Sequence, residues 1–118
     1  MALSRDAILS ATDIRTKVVA VPEWGGDVIV ATMSGTARDE WEQSLIQRKG
    51  NKTEPNLTNV RARLVMATVV DEDGNRLFTE ADVTALGKKS SAALERVCKI
   101  AQKLNGIGDS ELEDLQGN

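Results

Sequence analysis

The chain has 118 residues, close to the commonest size of a single domain, and its one cysteine excludes an internal disulfide or a cysteine zinc cage. The 15 Lys and Arg residues against 18 Asp and Glu residues give a net charge of −3, which disfavours a dedicated nucleic-acid-binding protein. Histidine and tyrosine are absent, so an enzyme is not expected and neither a cofactor nor a metal is predicted. No stretch predicts a signal peptide or a membrane span, which indicates a cytosolic protein with no membrane partner.

The first elements in chain order are a short helix and a β-hairpin. Ser4 is a candidate N-cap for a helix of about two turns with an apolar stripe. Valine-rich runs then flank the sequence from Trp24 to Asp27, and this pattern predicts a hairpin over about 16–33 that turns on glycines.

A helix over about 37–49 is predicted next. Thr36 and Asp39 have the spacing of a capping box in which the shorter acid replaces glutamate. Trp41 lies on the predicted buried face. The polar segment 51–56, which contains a proline, is predicted to be a surface loop.

Three more helices are predicted in the second half of the chain, over about 58–69, 79–86 and 88–104. The first of them also shows strand-like alternation, and helix is preferred because the run is long. The last has the clearest apolar face. The sequence therefore predicts an α+β fold, mainly α-helical, in which a small N-terminal hairpin precedes three to four packed helices in one domain over 1–107. The acidic segment 108–118 is predicted to be a mobile tail.

The segment from Asp71 to Asp82 resembles the loop of a calcium-binding EF-hand, because oxygen-bearing side chains occupy loop positions 1, 3, 5, 9 and 12. Arg76 stands at position 6, where the sharp turn requires glycine, and Asp82 has a shorter reach than the usual glutamate. The preferred interpretation is an acidic turn followed by a helix cap formed by Thr79 and Asp82, with a calcium-binding interaction module as an alternative.

The remaining reactive side chains have structural interpretations. Ser90 and Ser91 follow two lysines, but they stand at a predicted helix start, where hydroxyls commonly cap. Cys98 lies on the apolar stripe of the last helix and is predicted to be a buried thiol. No catalytic residue is therefore predicted.

Several segments together resemble the tail assembly chaperones of bacteriophages with long, non-contractile tails. The most specific part is the acidic turn, which continues through Leu77-Phe78-Thr79 to the final helix and its Leu-Asn-Gly end. The segments, in order, are Val21 to Gly25, Thr32 to Gly35 followed by Arg38 and Asp39, Arg61 to Val65, Asp71 to Asp82, and Leu104 to Gly106.

The resemblance implies a protein that binds the tape measure protein in the host cell cytoplasm, keeps it soluble and helps to recruit the major tail tube protein. It also implies absence from the mature virion, self-association into homo-oligomers and a longer form of the same chain made by programmed frameshifting. A structural tail subunit or head-to-tail connector subunit is the alternative from a different class.

A chaperone of this kind needs apolar side chains outside its core for its client. Four residues are predicted to make partner contacts: Trp24 and Met33 near the hairpin, and Leu57 and Met66 on or beside the segment with ambiguous periodicity.

Overall fold

The computed structural model describes residues 1–108, which begin with helix α1 (Arg5–Ser10). The Ser4 hydroxyl accepts a hydrogen bond from the Ala7 amide at 3.1 Å, which confirms Ser4 as the N-cap. None of residues 1–18 is buried. The segment 1–15, called here the N-terminal arm, therefore lies outside the core.

The predicted hairpin is present and forms part of a three-stranded sheet. Strands β1 (Thr16–Val21) and β2 (Gly26–Ala31) are antiparallel and are joined by a 3₁₀ turn over Pro22–Trp24. The third strand, β5 (Val69–Val70), pairs with the other edge of β2 and gives the order β1-β2-β5. The prediction had placed residue 69 at the end of a helix, and the two adjacent β-branched valines explain why the chain becomes extended there.

Helix α2 is shorter than predicted and spans Gly35–Ser44. Its N-cap is Ser34, whose hydroxyl accepts from the Ala37 amide at 3.1 Å, so the capping box assigned to Thr36 and Asp39 is wrong. Leu45, at the C-terminal end of the helix, is buried, and the next residue, Ile46, is exposed. The buried face of α2 therefore ends at Leu45.

A second hairpin replaces the predicted end of α2 and the predicted loop 51–56. Strands β3 (Ile46–Lys49) and β4 (Lys52–Pro55) pair in register, with Lys49 opposite Lys52. The two residues between them form the turn, in which Gly50 adopts a left-handed conformation with φ of 64°. The sequence predicts a helix end and a loop here, but polar residues followed by glycine are equally typical of a hairpin turn.

Three helices complete the described chain: α3 (Val60–Thr68), α4 (Val83–Gly87) and α5 (Ser91–Asn105). A 3₁₀ turn over Glu80–Asp82 precedes α4, so the predicted helix 79–86 is divided in two. These elements confirm an α+β fold with a hairpin and packed helices. Every helix within residues 1–108 is too short or too polar to cross a bilayer. The predicted tail lies outside the described residues except for Gly108.

The core lies between the inner face of the three-stranded sheet and the helices α3 and α5. Val21 and Val30 of the sheet, Val65 of α3 and Val97 of α5 are fully buried. Complete burial of each such side chain contributes about 1.5–3 kcal/mol relative to exposure, so these contacts stabilise the packing of the sheet against α3 and α5. Trp41 and Leu45 of α2 belong to the same cluster.

Asn105 links the end of α5 to two other elements. Its Oδ1 accepts a hydrogen bond from the Met33 amide at 2.7 Å, and its Nδ2 donates to the Ala101 carbonyl at 2.8 Å. The Asn105 carbonyl accepts from the Arg38 guanidinium at 2.9 Å. The Leu-Asn-Gly end of α5 therefore holds the segment between β2 and α2 in place.

Replacing Asn105 with Ala tests this link. The change leaves the partly buried Met33 amide without its acceptor, so we expect the free energy of unfolding to fall by about 1–3 kcal/mol. Urea denaturation followed by circular dichroism measures the loss. Gln43→Ala, on the exposed face of α2, is the control and should change stability by about 0.5 kcal/mol or less. Equal stability of the two variants would contradict the role given to Asn105.

Candidate protein-binding surfaces

The acidic turn after β5 uses its carboxylates to organise the backbone. Asp71 Oδ1 accepts from the amides of Asp73 and Asn75, at 2.9 Å in each case, and the Asp71 amide donates to the Asn75 carbonyl at 2.8 Å. Asp82 Oδ2 accepts from the Thr79 amide at 2.8 Å and completes a capping box. The turn and cap predicted from sequence are confirmed. Within residues 1–108 no three His, Cys, Asp or Glu side chains are placed to hold a metal ion together.

Cys98 has the environment of a structural thiol. It is buried, and its Sγ lies 3.4 Å from the Arg61 carbonyl. Burial raises the pKa of Cys98 to about 12, with a smaller contribution in the same direction from Glu95 and an opposing one from Arg61. Ser90 is also structural, because its hydroxyl accepts from the Ala93 amide at 3.4 Å and caps α5.

The four residues predicted to contact a partner lie at separate places. Trp24 ends the 3₁₀ turn of the first hairpin, half-buried against the core and next to the ion pair of Glu23 with Arg96. Met33 is half-buried beyond β2. Neither of them lines the groove that contains Leu57 or the groove that contains Met66.

Leu57 and Met66 line two different grooves. Leu57 contributes to a shallow groove between the start of α3 and the start of α5. Met66 lines a groove of about 330 Å³ bounded by α2, the end of α3 and the segment before α4, called here the α2–α3 groove. Its lining residues are Ala37, Glu40, Trp41, Ser44, Met66, Ala67, Arg76, Phe78, Thr79 and Glu80.

The α2–α3 groove has an apolar floor and a polar rim. Trp41 is 5% exposed, whereas Met66 and Phe78 are half-buried and pack against the core from the groove side. The guanidinium carbon of Arg38 lies 5.7 Å from the centre of the Trp41 ring, within the range of a cation–π contact. The rim carries the exposed side chains of Glu40, Arg76 and Glu80.

A third groove, shallower than the α2–α3 groove, crosses the outer face of the three-stranded sheet. Its floor contains Ile29, Val70 and Leu77, and its rim contains four carboxylates and no basic side chain. It is called here the acidic groove, and its lining residues are Asp27, Val28, Ile29, Val70, Asp71, Glu72, Asp73 and Leu77.

The N-terminal arm is the most exposed apolar segment of the described chain. Leu3, Ile8 and Leu9 are 72%, 56% and 67% exposed, and Ile14 is also exposed. A short helix has little stability without packing, so an apolar helix in this position is typical of an element that contacts another chain.

The sequence predicts neither the three grooves nor the exposure of the apolar side chains of the arm. Trp41 lies on the buried face of α2, as predicted, whereas the sequence does not identify Phe78 as part of a groove. Periodicity separates buried from exposed positions within one element. A groove arises from three elements that are distant in sequence, so no local signal reports it.

The chain is similar to phage proteins of one family. The family model described as phage tail assembly chaperone matches residues 3–116. The solved structure of the bacteriophage HK97 tail assembly chaperone superposes with a TM-score of 0.58 at 21% sequence identity, over 88% of this chain and 95% of that one. At this identity the likeness shows the fold. No curated protein matches the chain at a significant level.

The environment of Cys98 predicts slow reaction with thiol reagents. Raising the pKa from its ordinary 9.0 to about 12 lowers the thiolate fraction at neutral pH roughly a thousand-fold, and burial further blocks access. We therefore expect Ellman's reagent to react in the native state only through unfolding, and rapidly in urea. Because the unfolded chain loses this proton more readily, the free energy of unfolding should fall as the pH rises above 9.0. Fast reaction of Cys98 with the reagent in the native state would contradict its assignment as a buried structural thiol.

Proposed function

We propose that this chain, which belongs to the phage tail assembly chaperone family, binds the tape measure protein and keeps it soluble before the tail is assembled. The observation that carries the proposal is the family match, which extends over residues 3–116. The described chain also has the property that such a role requires, because apolar side chains of the arm are exposed and Met66 and Phe78 of the α2–α3 groove are only half-buried. A chaperone that covers apolar surface needs no chemical step.

Several copies act on one client molecule. The tape measure protein is long and largely helical, so many individually weak contacts along it add up through multivalency and can still be displaced. Displacement comes from the major tail tube protein, whose subunits the chaperone helps to recruit. A longer form of the chain, made by programmed frameshifting, joins the same complex.

The proposed place of action is the host cell cytoplasm, and the chain is absent from the mature virion. A structural tail or connector subunit of similar size would remain in purified particles. Mass spectrometry of virions therefore separates the two functions, because a stoichiometric amount of the chain in finished particles would favour the structural subunit.

Met66 is the best placed of the four proposed contact residues, since it lines the groove with the larger apolar floor. Trp24, Met33 and Leu57 remain secondary contacts. All three are half-buried, and Trp24 and Met33 pack against the core, so a change at either of them affects both folding and binding.

Self-association into homo-oligomers is the second part of the proposal. The exposed apolar side chains of the N-terminal arm support it. Strand β1 offers another route, because among the described strands it pairs only with β2 and its other edge is open to an added strand.

Co-expression with the tape measure protein encoded in the same genome tests the client. We expect most of that protein to become soluble and to co-purify with a tagged chain, because its exposed apolar surface is covered. The soluble fraction, measured with and without the chain, is the readout. A fold-destabilised Leu64→Ala variant is a useful control, since Leu64 is 2% exposed and its truncation costs about 2–5 kcal/mol. Insolubility with no association, when both chains are expressed, would reject the function.

Replacing Leu3, Ile8 and Leu9 together with Ser tests self-association through the arm. All three side chains are exposed, so the thermal midpoint should stay unchanged while association weakens at least ten-fold. Sedimentation velocity over a concentration series measures it. The control combines Arg5→Gln with Asp6→Asn, which removes the arm's ion pair and keeps its apolar side chains. Unchanged association of the triple variant would exclude the arm.

A further inference from the structure

The α2–α3 groove contains a buried hydrogen-bond donor that the described chain does not satisfy. Trp41 lines the groove, is 5% exposed, and its indole Nε1 has no acceptor in the structure. Buried tryptophan N–H groups usually find a partner, and one without a partner is unfavourable. The groove therefore combines an apolar floor with a lining residue whose N–H finds no acceptor among residues 1–108.

The floor of the groove is adaptable on one side and fixed on the other. Met66 is unbranched and half-buried, so it can change rotamer to fit an incoming side chain. Phe78 stands one residue before Thr79, whose capping box with Asp82 fixes the start of the following 3₁₀ turn. Nε1 of Trp41 is buried in the free chain. An acceptor of a partner can therefore reach it only after the side chains that cover it have moved.

The charges at the rim indicate a basic partner. Glu40 and Glu80 are exposed, and neither forms an ion pair among residues 1–108. Arg76 is the one basic residue of the lining, so the rim is net negative. A lysine or arginine beside the bound apolar side chain would complement it.

We propose that the α2–α3 groove is the docking site for an amphipathic helical segment of the client. One bulky apolar side chain of that segment inserts between Met66 and Phe78, and an acceptor of the segment takes the hydrogen bond of Trp41 Nε1. A basic residue on its flank lies beside Glu40 and Glu80. This is the helix-in-groove mode of recognition, and it rests on the proposed function because the client is the tape measure protein.

Charge reversal at exposed positions tests the site without disturbing the core. The probes are overlapping synthetic peptides that cover the tape measure protein, titrated against the full chain by fluorescence anisotropy. Peptides with an apolar stripe and a flanking lysine or arginine should bind. Glu40→Lys combined with Glu80→Lys should weaken that binding at least ten-fold, because it places two cations beside the basic flank.

A matched control changes the net charge by the same amount elsewhere. Glu72→Lys combined with Asp73→Lys alters the acidic groove, and peptide affinity should stay within two-fold of the wild type. Met66→Ala should weaken binding about five-fold, with the thermal midpoint followed to separate lost contact from lost stability. The charge variants keep the proposal testable if the Met66 variant is unstable, since their side chains are exposed.

Trp41 also provides a direct spectroscopic signal. The chain has two tryptophans, and Trp24→Phe leaves Trp41 as the sole one, so the peptide-bound Trp24→Phe chain is compared with the same variant free of peptide. Binding at the groove should shift the Trp41 emission and reduce its quenching by acrylamide. Binding in the acidic groove or on the arm would leave both unchanged.

The outcomes separate this site from the function itself. If wild-type chain binds the peptides and the Glu40/Glu80 variant binds equally well, the groove is not the docking site and the chaperone function stands. If the control pair weakens binding as much as the groove pair, recognition follows net charge, and the proposal is also overturned. If wild-type chain binds no peptide and does not solubilise the tape measure protein, both proposals fall.

Discussion

The packing of α5 across α3 and the sheet is the constraint on which the other contacts of this fold depend. The buried face of α5 includes Ala93, Val97 and Ala101, each fully buried, and α3 contributes Ala62 and Val65. Small alanines on both helices permit a close approach, and the valines fill the space that remains. The sheet has only three strands and gains its stability from being covered on its inner face by these helices.

This arrangement leaves apolar side chains outside the core. The inner face of the sheet is covered, but Val18 and Leu77 remain exposed on the outer side. Helix α2 joins the core through Trp41 and Leu45, while its remaining surface forms one wall of the α2–α3 groove. The described residues therefore form a buried core and still leave apolar side chains available for contact with another chain.

The predictable parts of the fold were those set by local sequence. The first hairpin follows from valine runs around a glycine turn, and α5 from an apolar stripe over four turns with a serine cap. Helix α2 is shorter than the predicted helix over 37–49, because its buried face ends at Leu45 and Ile46 is exposed. The second hairpin lies where the sequence predicts a helix end and a surface loop, since polar residues followed by glycine are typical of both a helix end and a turn.

The binding surfaces were less accessible to prediction than the fold. Met66 was selected as an apolar residue of an ambiguous segment, and its position in a groove depends on Phe78 and Trp41, which come from other elements. The proposed function follows from the family resemblance, because no side-chain pattern in the sequence identifies it. Several residues that carry the resemblance have structural roles. The Asp71 and Asp82 carboxylates accept backbone hydrogen bonds that shape turns, and the Asn105 side chain accepts one from the Met33 amide.

The α2–α3 groove and the N-terminal arm are formed by different residues. Arm residues are exposed at the N-terminus, and the α2–α3 groove is lined entirely by residues between 37 and 80, so neither surface uses the side chains of the other. A copy that associates through its arm therefore keeps its groove available. An assembly of such copies would present a series of grooves to a long helical client, and each weak contact raises the local concentration of the next. In the proposed assembly, affinity depends on the number of copies in register, so subunits that compete for the client would remove the chaperone one copy at a time.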